Sequence, residues 1–126
     1  MTDDKPWLTE PDEHLFESHG YVCHAVRRQQ LGFWCGYIYI PTTHPYAGLW
    51  YDAVELDVHG GLTYAEKEGE SWCFGFDCGH FDDWSPKLDQ LYVEDRYPNT
   101  SATYKTLQFV INELDNLAKQ LKEKEQ

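Results

Sequence analysis

The sequence predicts an α+β fold, a mainly antiparallel sheet of four or five strands packed by one long C-terminal helix. Three observations lead there. Between residues 20 and 78, short apolar segments alternate with a period of two and are bounded by Gly and Pro. One stretch of helical spacing closes the chain, with Leu107, Val110, Ile111, Leu114, Leu117, Ala118 and Leu121 forming a single stripe. Hydrophobic residues at 41% and aromatics at 16% over 126 residues suffice for the core of one domain.

Taken in order, residues 1–19 are polar and acidic, contain Pro6 and Pro11, and read as an N-terminal arm with a short helical turn near Asp12–Ser18. The domain then covers residues 20–126. Tyr21, Cys23 and Ala25 alternate with Val22, His24 and Val26 as in a half-buried strand. After Arg27–Gly32 comes FWCGYIYIP, which completes an antiparallel hairpin. Pro41, Pro45 and Gly48 make the next segment a loop. Val54–Val58 reads as a third strand that turns at Gly60–Gly61 into Leu62–Ala65, with Lys67–Glu70 as a charged turn. Ser71–Cys78 is a further strand whose Trp72, Phe74 and Phe76 share a face. Phe81–Asn99 reads as irregular, broken by Pro86 and Pro98. Thr100 or Ser101 is placed to cap the final helix, whose stripe is core and whose Lys119, Lys122 and Lys124 suit the negative pole of its dipole.

The charge excludes one class of function. With 22 acids against 10 bases the net charge is −12, and Arg27–Arg28 is the sole adjacent basic pair, so direct DNA or RNA binding is not expected. Acidity serves solubility, and it also suits a protein that imitates nucleic acid or attracts a basic partner. The acidic start lacks the apolar segment of a leader, and no run has the length a membrane span needs. The expectation is therefore a cytoplasmic protein, not membrane-bound, whose Cys23, Cys35, Cys73 and Cys78 stay reduced.

Chemistry-bearing residues concentrate between Asp52 and Asp83, where Asp52, Asp57, His59, Asp77, His80 and Asp83 are set among apolar strands and the turn glycines Gly60, Gly61 and Gly79. Polar groups in such surroundings need partners. Strand alternation sets Glu55, Asp57 and His59 on one face and Cys73, Gly75 and Asp77 on another, so neighbouring strands would bring Asp57 and Asp77 together with His59 and His80 near the ends. Three readings compete. Asp57, His59, Asp77 and His80, with Asp83, offer the mixed nitrogen and oxygen ligands of a divalent metal, able to activate water, although no His-Glu-x-x-His or Cys-x-x-Cys motif is present. Alternatively, N–H groups at Gly60 and Gly61 cradle an anion, and Trp34, Tyr37, Tyr39, Trp50 or Trp72 stacks on a planar base, with Arg27, Arg28 or Arg96 for phosphate. In the third, Asp57, His59, Asp77 and His80 cap turns and bond one another. No catalytic nucleophile is assigned: Cys78 and His80 lack the usual arrangement, and no Gly-x-Ser-x-Gly elbow or glycine-rich phosphate loop occurs.

The order His44-Pro45-x-x-Gly48, Asp57-Val-His59-Gly60-Gly61-Leu-Thr-Tyr64 and Trp72-x-Phe-Gly-Phe-Asp77-Cys78-x-His80-x-x-Asp83 resembles a family of small, uncharacterised bacteriophage and prophage proteins, over about Phe33 to Leu121. The resemblance implies an accessory phage protein acting in the host cytoplasm, and it marks His44, Asp57, His59, Asp77, His80 and Asp83 as the site to carry over. Combined with the side-chain chemistry, it gives a leading expectation of a non-enzymatic binder that sequesters a small nucleotide-like ligand such as a host immune signal. The binding residues are then His44, Asp57, His59, Gly60, Gly61, Trp72, Asp77, His80 and Asp83. The runner-up is a metal-dependent hydrolase, a phosphoesterase with Asp57, His59, Asp77 and His80 as ligands and Asp83 or Asp52 as base. The third is an acidic inhibitor that docks on a host defence protein. No cofactor is expected beyond a possible divalent metal, and pairing of two chains into a homo-oligomer stays open.

Overall fold

The computed structural model describes residues 5–30, 32–80, 83–86 and 103–125. It is an α+β fold, with one antiparallel sheet of five strands and a single long C-terminal helix. The strands are β1 (Glu13–Ser18), β2 (Tyr21–Arg27), β3 (Trp34–Pro41), β4 (Tyr64–Glu68) and β5 (Ser71–Asp77), and α1 spans Leu107–Glu123. They run in the order β1-β2-β3-β5-β4. The chain therefore leaves β3, crosses past β5 to the far edge as β4, and returns by a hairpin into the centre.

The expected hairpin forms with Val22 opposite Tyr39 and Val26 opposite Cys35. Its alternation works as the sequence suggests. Trp34, Ile38 and Ile40 from β3, with Phe74 and Phe76 from β5, form the buried face on which α1 lays Val110, Leu114, Leu117 and Leu121. Such side chains cost roughly 2–5 kcal/mol each when cut back to Ala. The helix lies over β1, β2 and β3, and residues of the β3–β4 connection, among them Tyr51, Val54, Leu56, Val58 and Leu62, pack on the same core.

Four expectations change. The segment Asp12–Ser18 is not a helical turn: Glu13–Ser18 is strand β1, paired along its length with β2. Its Leu15 points to solvent while Phe16 packs on the core, and pairing satisfies the outer edge of β2. Val54–Val58 belongs to no strand. Its backbone bonds side chains of the helix, since Gln120 donates to the Asp57 carbonyl and accepts from the Asp57 N–H, both at 2.8 Å. One amide side chain thus replaces a strand ladder. Next, β4 begins at Tyr64 and includes Lys67 and Glu68, so the turn shrinks to Gly69 and Glu70, and Gly69 takes a φ of 63°. Last, the helix is capped by Thr106, whose hydroxyl accepts from the Phe109 N–H at 3.1 Å. Thr100 and Ser101 lie outside the described residues, as does most of Phe81–Asn99.

The N-terminal residues are tied in more firmly than an arm would be. The Glu10 carboxylate accepts from Trp34 Nε1 at 3.1 Å, from the Tyr104 hydroxyl and from the Leu107 N–H at 2.7 Å, and it pairs with Arg27. An acid at the first turn of α1 also suits the helix dipole. Trp7 packs its ring against Trp84 and Tyr104. At the other end, the Tyr21 hydroxyl donates to Glu125, just past the helix. All four cysteines are free and buried, and among the described residues no helix is long and apolar enough to cross a membrane.

Candidate metal centre

His59, His80 and Asp83 meet at the end of β5, beneath the first turns of α1. One ligand-type atom from each lies within 4.8 Å of the others. Asp83 is the buried member, 1% exposed. The turn from His80 places it, closed by the Asp83 N–H on the His80 carbonyl at 2.9 Å, and a parallel bridge to Thr103 fixes the chain beyond. Its carboxylate accepts from His59 Nε2 at 2.9 and 3.0 Å and from the His80 backbone N–H at 2.9 Å, and Lys105 Nζ stands 3.1 Å away. Burial by itself would raise the Asp83 pKa. The bonds from His59, the His80 N–H and Lys105 outweigh it and hold the group below the usual carboxylate value.

His59 is fixed from two sides. Its backbone N–H donates to Glu113 of α1 at 2.7 Å, and its ring stands edge-on to Phe109 at 5.1 Å. His80 sits against Gly60, which has a φ of 69° and where a Cβ would lie 2.4 Å from His80 Cε1. Only glycine both adopts that backbone and leaves the imidazole its space. The Nδ1 atom of His80 is buried and has no hydrogen-bond partner among the described residues, yet it is 3.5 Å from both Asp77 Oδ1 and Asp83 Oδ2. Asp77 is itself held by the Gly79 N–H at 2.9 Å and the Thr63 hydroxyl at 3.2 Å.

These separations bear on metal binding. Two ligands bonded to zinc at about 2.1 Å and set at a tetrahedral angle lie about 3.4 Å apart. The His80 Nδ1 distances to both carboxylates match that spacing, while the His59–Asp83 contact would open by about half an ångström. Two imidazoles and one carboxylate leave a coordination position for water, the pattern of catalytic rather than structural sites. The residues therefore fit a divalent transition metal.

Of the other residues expected at the site, Asp77 adjoins the cluster through His80, and Gly60 forms its wall. Asp57 does not join it. Its side chain is exposed, and its carbonyl and N–H serve Gln120 and Asn116 of α1. Asp52 is exposed in the 3-10 turn Tyr51–Ala53. Trp72 packs beside Phe74, five residues along β5 from Asp77 or about 17 Å. His44 is 4% exposed and structural: Nδ1 accepts from the Tyr46 N–H at 2.9 Å, which puts the ring proton on Nε2, donating to the Leu121 carbonyl at 2.8 Å.

Of the two glycines expected to cradle an anion, Gly61 gives its N–H to the Val58 carbonyl at 2.9 Å. The N–H of His59 goes to Glu113, of Gly79 to Asp77 and of His80 to Asp83. These three acceptors are carboxylates, so this neighbourhood suits a cation. Burial, then the Asp83 charge, pushes the Cys78 thiol far up, and it is no nucleophile.

Sequence reasoning missed Lys105, Phe109 and Glu113, which the last segment delivers. Nothing in their local spacing marks them: Lys105 precedes the helix, and Glu113 is one of several polar residues between its apolar positions. Comparison with protein-family models gave no match to this chain, and neither the curated proteins nor the solved structures included one similar to it.

Proposed function

We propose that the protein is a metal-dependent hydrolase, in which His59, His80 and Asp83 hold a divalent transition metal and the reaction is cleavage of a phosphoester. The observation that carries this reading is His80 Nδ1, a buried nitrogen without a hydrogen-bond partner among the described residues, at ligand spacing from two carboxylates. A nitrogen left so is costly unless something fills the gap. The metal would supply a water of lowered pKa.

The chain's own groups divide the remaining work. Asp77, with 30% of its side chain exposed, would serve as the base that takes the proton from an attacking water. The water oxygen bonds to phosphorus, the ester P–O bond breaks, and the proton passes from Asp77 to the departing oxygen. Lys105, at 3.1 Å from Asp83 and also bonded to the Thr103 carbonyl and hydroxyl, helps keep the Asp83 carboxylate ionised for the metal. The setting implied by the phage resemblance belongs to the same proposal: a host nucleotide signal would be destroyed rather than sequestered.

The test is metal content by mass spectrometry on protein purified with zinc or manganese, alongside hydrolysis of bis(p-nitrophenyl) phosphate. About one metal per chain, lost in both His59→Ala and His80→Ala together with hydrolysis, is the expected result. Metal content unchanged by His80→Ala would overturn the proposal.

A further inference from the structure

We infer that the cleft between β3, β4 and β5, on the sheet face opposite α1, binds a nucleotide by its base and phosphate and presents it to the metal centre. This inference rests on the hydrolase reading and names its substrate class. The cleft is an open groove of about 230 Å³ whose lining includes Arg28, Tyr37, Thr63, Tyr64, Phe76 and Asp77.

Its shape follows from the strand register. Tyr37 of β3 and Tyr64 of β4 both stand opposite Gly75 of β5, so one cross-strand row carries two aromatic rings with no side chain between them. A Cβ at Gly75 would come within 2.7 Å of Tyr37 Cδ1, so the missing side chain lets the Tyr37 ring lean over the strand. The two rings meet edge to face at 5.4 Å, a geometry that leaves ring faces for a third planar group. The volume falls below the ~300–1,000 Å³ of a whole drug-sized ligand, which suits one base inside with sugar and phosphate at the rim.

The rim supplies charge of the right sign. Arg28 donates to the Tyr37 hydroxyl at 3.2 Å, and burial pushes that hydroxyl up to about 12, so it stays neutral. The guanidinium also bonds Cys35 and feels the Asp77 charge across the cleft, a position an incoming phosphate would share. Such a cation beside the edge-to-face rings would favour a phosphate over a neutral group. Asp77 links this cleft to the metal centre. Its Oδ2 bonds Thr63 on the cleft wall, and its Oδ1 stands 3.5 Å from His80 Nδ1. The aromatics are Tyr37 and Tyr64, not the tryptophans that composition drew attention to.

The experiment is calorimetric titration of the zinc-treated full chain with AMP, GMP, CMP and UMP, against the matching nucleosides and inorganic phosphate. The expected result is at least one monophosphate binding about tenfold or more tighter than its nucleoside or phosphate, about 1.4 kcal/mol. Arg28→Gln should reduce it to the nucleoside's affinity, and Tyr64→Ala to that of phosphate, with the metal content of both variants unchanged. Monophosphates no tighter than their nucleosides, or binding indifferent to both substitutions, would overturn the inference. Nucleotide binding that depends on Arg28 in a protein holding no metal leaves the cleft standing and removes the hydrolase. Metal without nucleotide binding does the reverse.

Discussion

Replacing Asp83 by Asn isolates the charge at the centre of the cluster while nearly preserving shape. The side chain is fully buried, whereas its partners His59 and Lys105 are 20% and 15% exposed. Removing one member of a buried pair costs about 3–5 kcal/mol when the remaining charge is stranded. Here the partners reach water, and the Asn oxygen still accepts from the His80 N–H, so about 2–3 kcal/mol is expected near neutral pH. The folded-state pKa of Asp83 lies below its unfolded value of about 3.9. Its stabilising contribution is therefore complete above that unfolded value and fades as pH falls through it toward the folded one, where the wild-type group is neutral too. Urea unfolding of both proteins at neutral pH and at about pH 3, with unchanged m-values, reads this directly. A gap equally large in acid would refute the reasoning, since the loss would then owe nothing to the carboxylate charge. Zinc at about one hundred times its Kd should add about 2.7 kcal/mol to the wild type and nothing to the variant.

Three further substitutions separate fold from site. His44→Ala strands the Tyr46 N–H, while the Leu121 carbonyl keeps the Lys124 N–H at 3.1 Å; urea unfolding should show a loss of about 2–3 kcal/mol, with metal content unchanged. Gly60→Ala meets both a positive φ and the His80 ring, so it should cost about 1–2 kcal/mol and abolish metal uptake in equilibrium dialysis. Glu10→Ala removes the acceptor shared by Trp34, Tyr104 and Leu107, and a lowered urea midpoint equivalent to about 2–4 kcal/mol is expected; no change would mean the N-terminal residues do not secure the helix start.

What the sequence reveals of this protein follows the reach of each interaction. The β2–β3 hairpin, β5 and the helix stripe are legible because period two or three-and-a-half emerges from residues adjacent in the chain. Glu13–Ser18 carries the same alternation, but its acids fall on the exposed side and disguise a strand as a solvated arm. Val54–Val58 alternates correctly as well, and its Val and Leu side chains do pack inward. Periodicity reports which side chains are buried, not what the backbone bonds to, and here the backbone partner is a helix more than fifty residues away. The same limit divides the site. His59, His80 and Asp83 stand out by residue type, whereas Asp57 and His44 look equally suited and are turned to other tasks. Lys105 acquires its meaning only through the bridge between Asp83 and Thr103.

The hold of α1 on the β3–β4 connection has a consequence for how the protein is made. Glu113 and Gln120 position His59 and Asp57, while Thr106 starts the helix only after four fifths of the chain has been synthesised. On the ribosome the strands can pair early, since each closes on a neighbour in sequence or across one connection. The His59 Nε2 atom can meet Asp83 before then, but its backbone N–H and the side of its ring that faces Phe109 gain their partners only when the last segment emerges. A nascent chain stopped before Leu107 should therefore show strand pairing by hydrogen exchange yet bind zinc more weakly than the full chain, since His59 would lack the Glu113 and Phe109 contacts that hold it.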